Sequence, residues 1–138
     1  MKDSVSIELK NNMSFEVNVN GHKMVIDSAA EFGGNNNGPR PKSLMLVALA
    51  GCTGMDLVSI LRKMRIAFDD LRIIVDGNVT EEHPRHFDRM HIKYIIKGND
   101  IPVDKVNSAI NISLEKYCGV SYSYRKAMKI THELIIGE

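Results

Sequence analysis

The stretch Gly38-Pro39-Arg40-Pro41-Lys42-Ser43-Leu44-Met45-Leu46-Val47-Ala48-Leu49-Ala50-Gly51-Cys52-Thr53-Gly54-Met55-Asp56 sets one of only two cysteines inside an apolar run, between two glycines. Pro41 suits the first helical position, where its missing N–H is not needed. Leu44, Val47, Ala48, Gly51 and Met55 then recur at helical spacing, which predicts a helix of roughly 25 residues ending near Arg65. Leu46, Leu49 and Ala50 make its first half apolar nearly all round. That pattern predicts burial on every side, which a small domain reaches most easily by packing the helix against a second subunit.

Working outward, Val5, Ile7 and Leu9 alternate with polar residues, and Phe15-Glu16-Val17-Asn18-Val19 repeats the period of two after a turn at Asn11-Asn12. Asn20-Gly21 is a hairpin signal leading into a third strand, Lys23 to Asp27. Gly33-Gly34-Asn35-Asn36-Asn37-Gly38-Pro39 is too rich in glycine and asparagine for regular structure and reads as a flexible crossing loop. Beyond the central helix, Leu71 to Thr80 and Arg89 to Lys97 read as strands joined across Glu81-Glu82-His83-Pro84-Arg85. Pro102 opens a helix through Tyr117, with Val106, Ala109, Ile110, Ser113 and Leu114 inward. Ala127 to Ile136 closes the chain as a strand with Met128, Ile130, His132 and Leu134 on one side. The order βββαββαβ is an α+β domain with antiparallel pairing, and residues 1–138 read as one domain.

Hydrophobic residues at 43% and charged ones at 25% are ordinary for a globular chain, and a net charge of +1 supplies no field for nucleic acid or an acidic membrane. No apolar signal segment opens the chain, and no run is expected to reach the eighteen or so apolar residues that span a bilayer. A cytoplasmic protein without nucleic-acid or membrane partners is the expectation. In a reducing compartment two cysteines are free, catalytic or metal-binding in preference to a structural staple.

A thiol reacts as its thiolate, which needs a cation, a helix N-terminus or donated hydrogen bonds. In a continuous helix the dipole does not reach Cys52, whereas a break at Gly51 would place it at a fresh N-terminus. Asp56, four residues on, lies on the same face and disfavours the thiolate. Cys52 also reads simply as a small core residue. Cys118, before Gly119 at the end of the Pro102 helix, reads equally as a helix end with a buried neighbour. The pair says more than either member. A peroxidatic thiolate becomes a sulfenic acid, and a second thiol in reach turns that into a disulfide reducible by an external dithiol, with no cofactor.

A Pro-led apolar helix carrying Ala50-Gly51-Cys52 and a later Glu115-Lys116-Tyr117-Cys118 resembles the OsmC family of thiol-dependent hydroperoxide reductases, over nearly the whole chain. The resemblance implies an OsmC-like fold with N-terminal antiparallel strands, a long central helix and an intertwined homodimer with its sites at the interface. It implies Cys52 as the peroxidatic and Cys118 as the resolving cysteine, with organic hydroperoxide as substrate in peroxide stress defence. Family members with strong peroxidase activity also place a glutamate just after the proline and an arginine from the N-terminal strands or loop. Here Lys42 and Ser43 follow Pro41, and Arg40 is the first arginine, so that pair is absent. Arg40, Lys42, Ser43 and Asp56 are the expected lining of the site. A second reading is a non-enzymatic protein of the same fold that binds a small apolar ligand.

No metal site is expected. His83, His86 and His91 lack a cysteine or carboxylate at ligand spacing and read as a solvated hairpin. Gly51-Cys52-Thr53-Gly54 has the form of the GxxG loop that clamps a nucleic-acid backbone, but its apolar approach does not suit one. His132, in step with Ile130 and Leu134, reads as a hydrogen-bonded core histidine. The eight methionines suit either a plastic apolar pocket or core filling.

Overall fold

The N-terminal alternation produces a three-strand antiparallel meander of β1 (Val5–Asn11), β2 (Ser14–Val19) and β3 (His22–Ile26). Ile7 faces Val17, and Val17 faces Met24. Asn20 and Gly21 both take positive φ, 52° and 78°, the geometry a two-residue hairpin needs. The computed structural model describes residues 1–137, and Glu138, the last residue of the expected domain, lies outside them. The chain divides into two compact units, Met1–Met45 and a second from Leu46 onward.

In the first unit the crossing loop has no regular structure beyond a 3₁₀ turn at Ala30–Phe32, yet it is not the loose linker its composition suggests. Buried Asp27 pins it: Oδ2 accepts hydrogen bonds from Ser14 Oγ (2.8 Å), Asn35 N (3.2 Å) and Asn37 N (3.0 Å), and Oδ1 accepts one from Ser28 N (2.7 Å). The Asn37 amide and its companions hold the Asp27 carboxyl below the ordinary carboxylate value. Gly38 is required at its place, since a Cβ there would run into the Val25 carbonyl.

The helix α1 (Ser43–Lys63) follows a turn in which Leu44 N–H bonds the Pro41 carbonyl (3.1 Å). It runs unbroken through Gly51, so Cys52 lies in its interior and Gly51–Gly54 is no loop. Leu49, Thr53, Leu57 and Leu61 repeat every four residues along its buried face. Each such leucine stabilises the fold by about 1.5–3 kcal/mol. Gly54 lets the helix come close to β4, where a Cβ would meet Ile73 Cδ1 at 2.8 Å. Burial on every side is not realised within the chain: Val47 and Met55 are 62% and 76% exposed. By length and composition alone α1 would span a bilayer, contrary to the expectation that no segment does.

The second unit's sheet has the order β4 (Asp70–Val79), β5 (Phe87–Lys97), β6 (Lys129–Ile136). Central β5 buries Met90, Ile92, Tyr94 and Ile96 at a period of two. Strand β6 pairs with β5 in parallel, from Arg89 opposite Lys129 to Ile96 opposite Ile136, and not antiparallel as the sequence suggested. A parallel neighbour needs a long crossover, and the helices between the strands provide it. The expected single helix to Tyr117 is in fact α2 (Val103–Ile112), a wide π-type turn at Ser113–Tyr117, and a further helix α3 (Gly119–Arg125). Cys118 thus caps the N-terminus of α3 in addition to ending the preceding turn. On β6, His132 is exposed and edge-on to the Tyr94 ring (6.3 Å between centroids), not a core histidine.

Candidate dithiol site

Cys52 and Asp56 stand four residues apart on α1 and so project from one face. Cys118 arrives at the same point from the N-cap of α3, and its sulfur, the Cys52 sulfur and an Asp56 carboxylate oxygen all lie within 4.8 Å of one another. Both cysteines are free thiols; Cys52 is half-buried and Cys118 buried. The structure thus gathers three of the six residues named from sequence. Of the others, Ser43 opens α1, Arg40 donates from Nη1 to the Gly38 carbonyl (2.8 Å), and Arg40 and Lys42 line an apolar cavity of the first unit.

The local fold fixes Cys118 through its backbone. Its N–H bonds the Ser113 carbonyl across the wide turn (2.7 Å), and its sulfur accepts the Ser121 N–H (3.3 Å). Burial pushes the Cys118 thiol above its ordinary value, the Ser121 amide opposes that rise, and the neighbouring Cys52 adds to it.

Joined to Asp56 runs a buried hydroxyl chain not expected from the sequence. Ser113 Oγ donates to Asp56 Oδ2 (3.1 Å) and lies 2.9 Å from Thr53 Oγ1, which is 2.7 Å from the Tyr94 hydroxyl. Thr53, Ser113 and Tyr94 are fully buried. Burial raises the Tyr94 phenol to about 12, with Cys118 and Asp56 as further negative neighbours. The signal was present in Thr53, a hydroxyl on the leucine stripe of α1, because a buried polar side chain implies a buried partner.

Two of the histidines bond to near neighbours. His86 Nδ1 lies 2.6 Å from the Pro84 carbonyl, and His91 bonds Thr131 Oγ1 (2.7 Å) and Glu133 Oε2 (2.6 Å). Where the sequence named no metal ligands, the structure brings Cys52, Asp56 and Cys118 to ligand-like separations. The apolar cavity, about 760 Å³ in volume, is lined by Met13, Phe15, Ile26, Pro41 and Met45, with Asp27, Ser28, Arg40 and Lys42 as its polar residues.

Residues 33–133 match the model of the OsmC-like protein family. Protein YhfA of Escherichia coli (strain K12) is 34% identical over 112 residues, 81% of this chain and 81% of that protein. A crystal structure of a hypothetical protein from Aquifex aeolicus VF5 superposes with a TM-score of 0.84 at 27% identity, over 100% of this chain and 99% of that one. The organic hydroperoxide resistance protein OhrB of Bacillus subtilis shares the fold, with a TM-score of 0.65 at 18% identity over 97% of this chain and 98% of that one.

Proposed function

The chain belongs to the OsmC-like protein family, and from that premise we propose that it is a homodimeric dithiol protein that reduces organic hydroperoxides in peroxide defence. The observation that carries this reading is the meeting of the sulfurs of half-buried Cys52 and buried Cys118 within 4.8 Å. The Cys52 thiolate attacks the O–O bond; Cys52 then carries the S–OH, and the departing alkoxide takes from solvent the proton that the thiol had given up and leaves as an alcohol. The Cys118 thiol then displaces that hydroxyl as water, the S–S bond forms, and an external dithiol returns both thiols by exchange. Burial, which raises the Cys118 thiol, makes it the poorer first nucleophile of the two and suits it to the second role. A reducing, cytoplasmic setting would keep both thiols in the form from which the cycle starts. A protein of the same fold, OhrB of Bacillus subtilis, is named for organic hydroperoxide resistance, which supports the choice of substrate.

The test is consumption of an organic hydroperoxide by the purified protein with a dithiol reductant, alongside thiol titration after one equivalent of peroxide. Turnover and loss of both thiols to one intramolecular disulfide are expected. Thiols unchanged by the oxidant would overturn the redox reading. The apolar cavity favours a second reading, a binding protein for a small apolar ligand, because its lining is mostly apolar and its volume lies in the range of small-molecule sites. A small apolar fluorescent probe held by wild type but not by a cavity-filling Met13→Trp variant would support it.

A further inference from the structure

We propose that Cys52, Asp56 and Cys118 form a three-ligand site for a thiophilic divalent cation of the zinc type. Two thiolates and one carboxylate are a zinc donor set, and three protein ligands with a fourth position open to water are the arrangement of non-structural zinc sites. The spacing fits: Cys52 and Asp56 come from one helix face at i and i+4, and Cys118 comes from a separate element. Ligand atoms on a tetrahedral zinc lie about 3.7 Å apart, so atoms now within 4.8 Å need close by only about 1 Å.

Two of the three ligands already carry the outer partners that metal ligands require. Ser113 Oγ holds Asp56 by Oδ2, a carboxylate oxygen of Asp56 lies within 4.8 Å of both sulfurs, and Ser113 is itself braced by Thr53, which bonds Tyr94. The Ser121 amide points at the Cys118 sulfur. Cys52 and Asp56 are only half-buried, so the cluster is not sealed from solvent. The site shares its thiols with the proposed redox cycle but does not depend on peroxide turnover. Metal and oxidant compete: a hydroperoxide that takes two electrons from the thiolates, leaving as alcohol and water, forms the disulfide, removes both sulfur ligands and expels the ion.

The experiment titrates reduced, chelator-stripped protein with Co²⁺, reading the thiolate-to-cobalt charge-transfer band, and then displaces Co²⁺ with Zn²⁺. One equivalent per chain is expected, with bleaching by zinc and no binding after oxidation to the disulfide. Cys52→Ser and Cys118→Ser should each lose most of the band. Asp56→Asn should keep two titratable thiols and a cooperative melt but bind at least about 10-fold more weakly, and Asp56→Glu should recover part of the loss. If Asp56→Asn does not fold, the single-cysteine variants and Asp56→Glu carry the test. Absence of a thiolate–cobalt band in the reduced protein would overturn the proposal, as would a folded Asp56→Asn variant with unchanged affinity. Hydroperoxide consumption is not the readout, so failure here leaves the redox reading standing, and failure there leaves this one.

Discussion

At the residue scale the two cysteines differ in accessibility, Cys52 half-buried and Cys118 buried, and that difference orders their chemistry. In metal-free protein, Cys52→Ser should abolish hydroperoxide consumption, while Cys118→Ser should accumulate a Cys52 sulfenic acid that a carbon nucleophile traps. Consumption surviving in Cys52→Ser would reverse the assignment. Because burial raises the Cys118 thiol, its alkylation in Cys52→Ser should need a more alkaline pH than that of an ordinary thiol. Tyr94 gives a second pH test. Its folded value of about 12 exceeds the reference of 10.0, so the stability it contributes is complete below pH 10 and is lost as pH rises toward 12. Tyr94→Phe should cost about 1 kcal/mol at neutral pH through the Thr53 hydrogen bond, and it should flatten the alkaline limb of a urea-midpoint-against-pH curve.

At the scale of elements, Asp27 turns an irregular loop into a fixed one. Its folded value lies below the reference of 3.8, so its contribution is present above that pH and is lost as pH falls through the lowered value. Asp27→Asn should therefore speed exchange of the Asn35 and Asn37 amides at neutral pH, and it should remove that part of the acid dependence. Amide exchange unchanged in the variant would refute the pinning role. The hairpins and the long helix were legible because their signals are local: Asn20-Gly21 fixes a turn, and Pro41 followed by leucines fixes a helix start. The direction of β6 was not legible, because an alternation of Ile130, His132 and Leu134 looks the same beside a parallel or an antiparallel neighbour. The wide turn was hidden because Val106, Ala109, Ile110, Ser113 and Leu114 keep helical spacing right into it. Cys52, Cys118 and Asp56 were legible as chemistry, but the meeting of Ser113 with Thr53 and Tyr94 joins positions far apart in the chain and has no local signature.

For the whole molecule, the outward apolar residues are the feature a single chain leaves unexplained. Val5, Ile7 and Leu9 along β1 and Val47 and Met55 on α1 are exposed, and their burial in a homodimer is the proposed remedy. Light scattering at micromolar concentration should give a dimer, with more than the roughly 1,600 Å² of a standard interface buried. Val47→Glu or Ile7→Lys should shift it toward monomer, and a monomeric wild type would refute the assembly. The wide turn at Ser113–Tyr117 bears on how members of such a family diverge. It holds an extra residue relative to a regular α-helical turn, and its i to i+5 bond carries Cys118 back to the Ser113 carbonyl. Loss of a single residue there would let α2 run on as ordinary helix and swing the following position by about 100° around the axis. Segment length, independent of side-chain identity, then sets whether the two cysteines are neighbours. Two homologues can keep both thiols and yet, by one deleted codon, only one of them owns a pair.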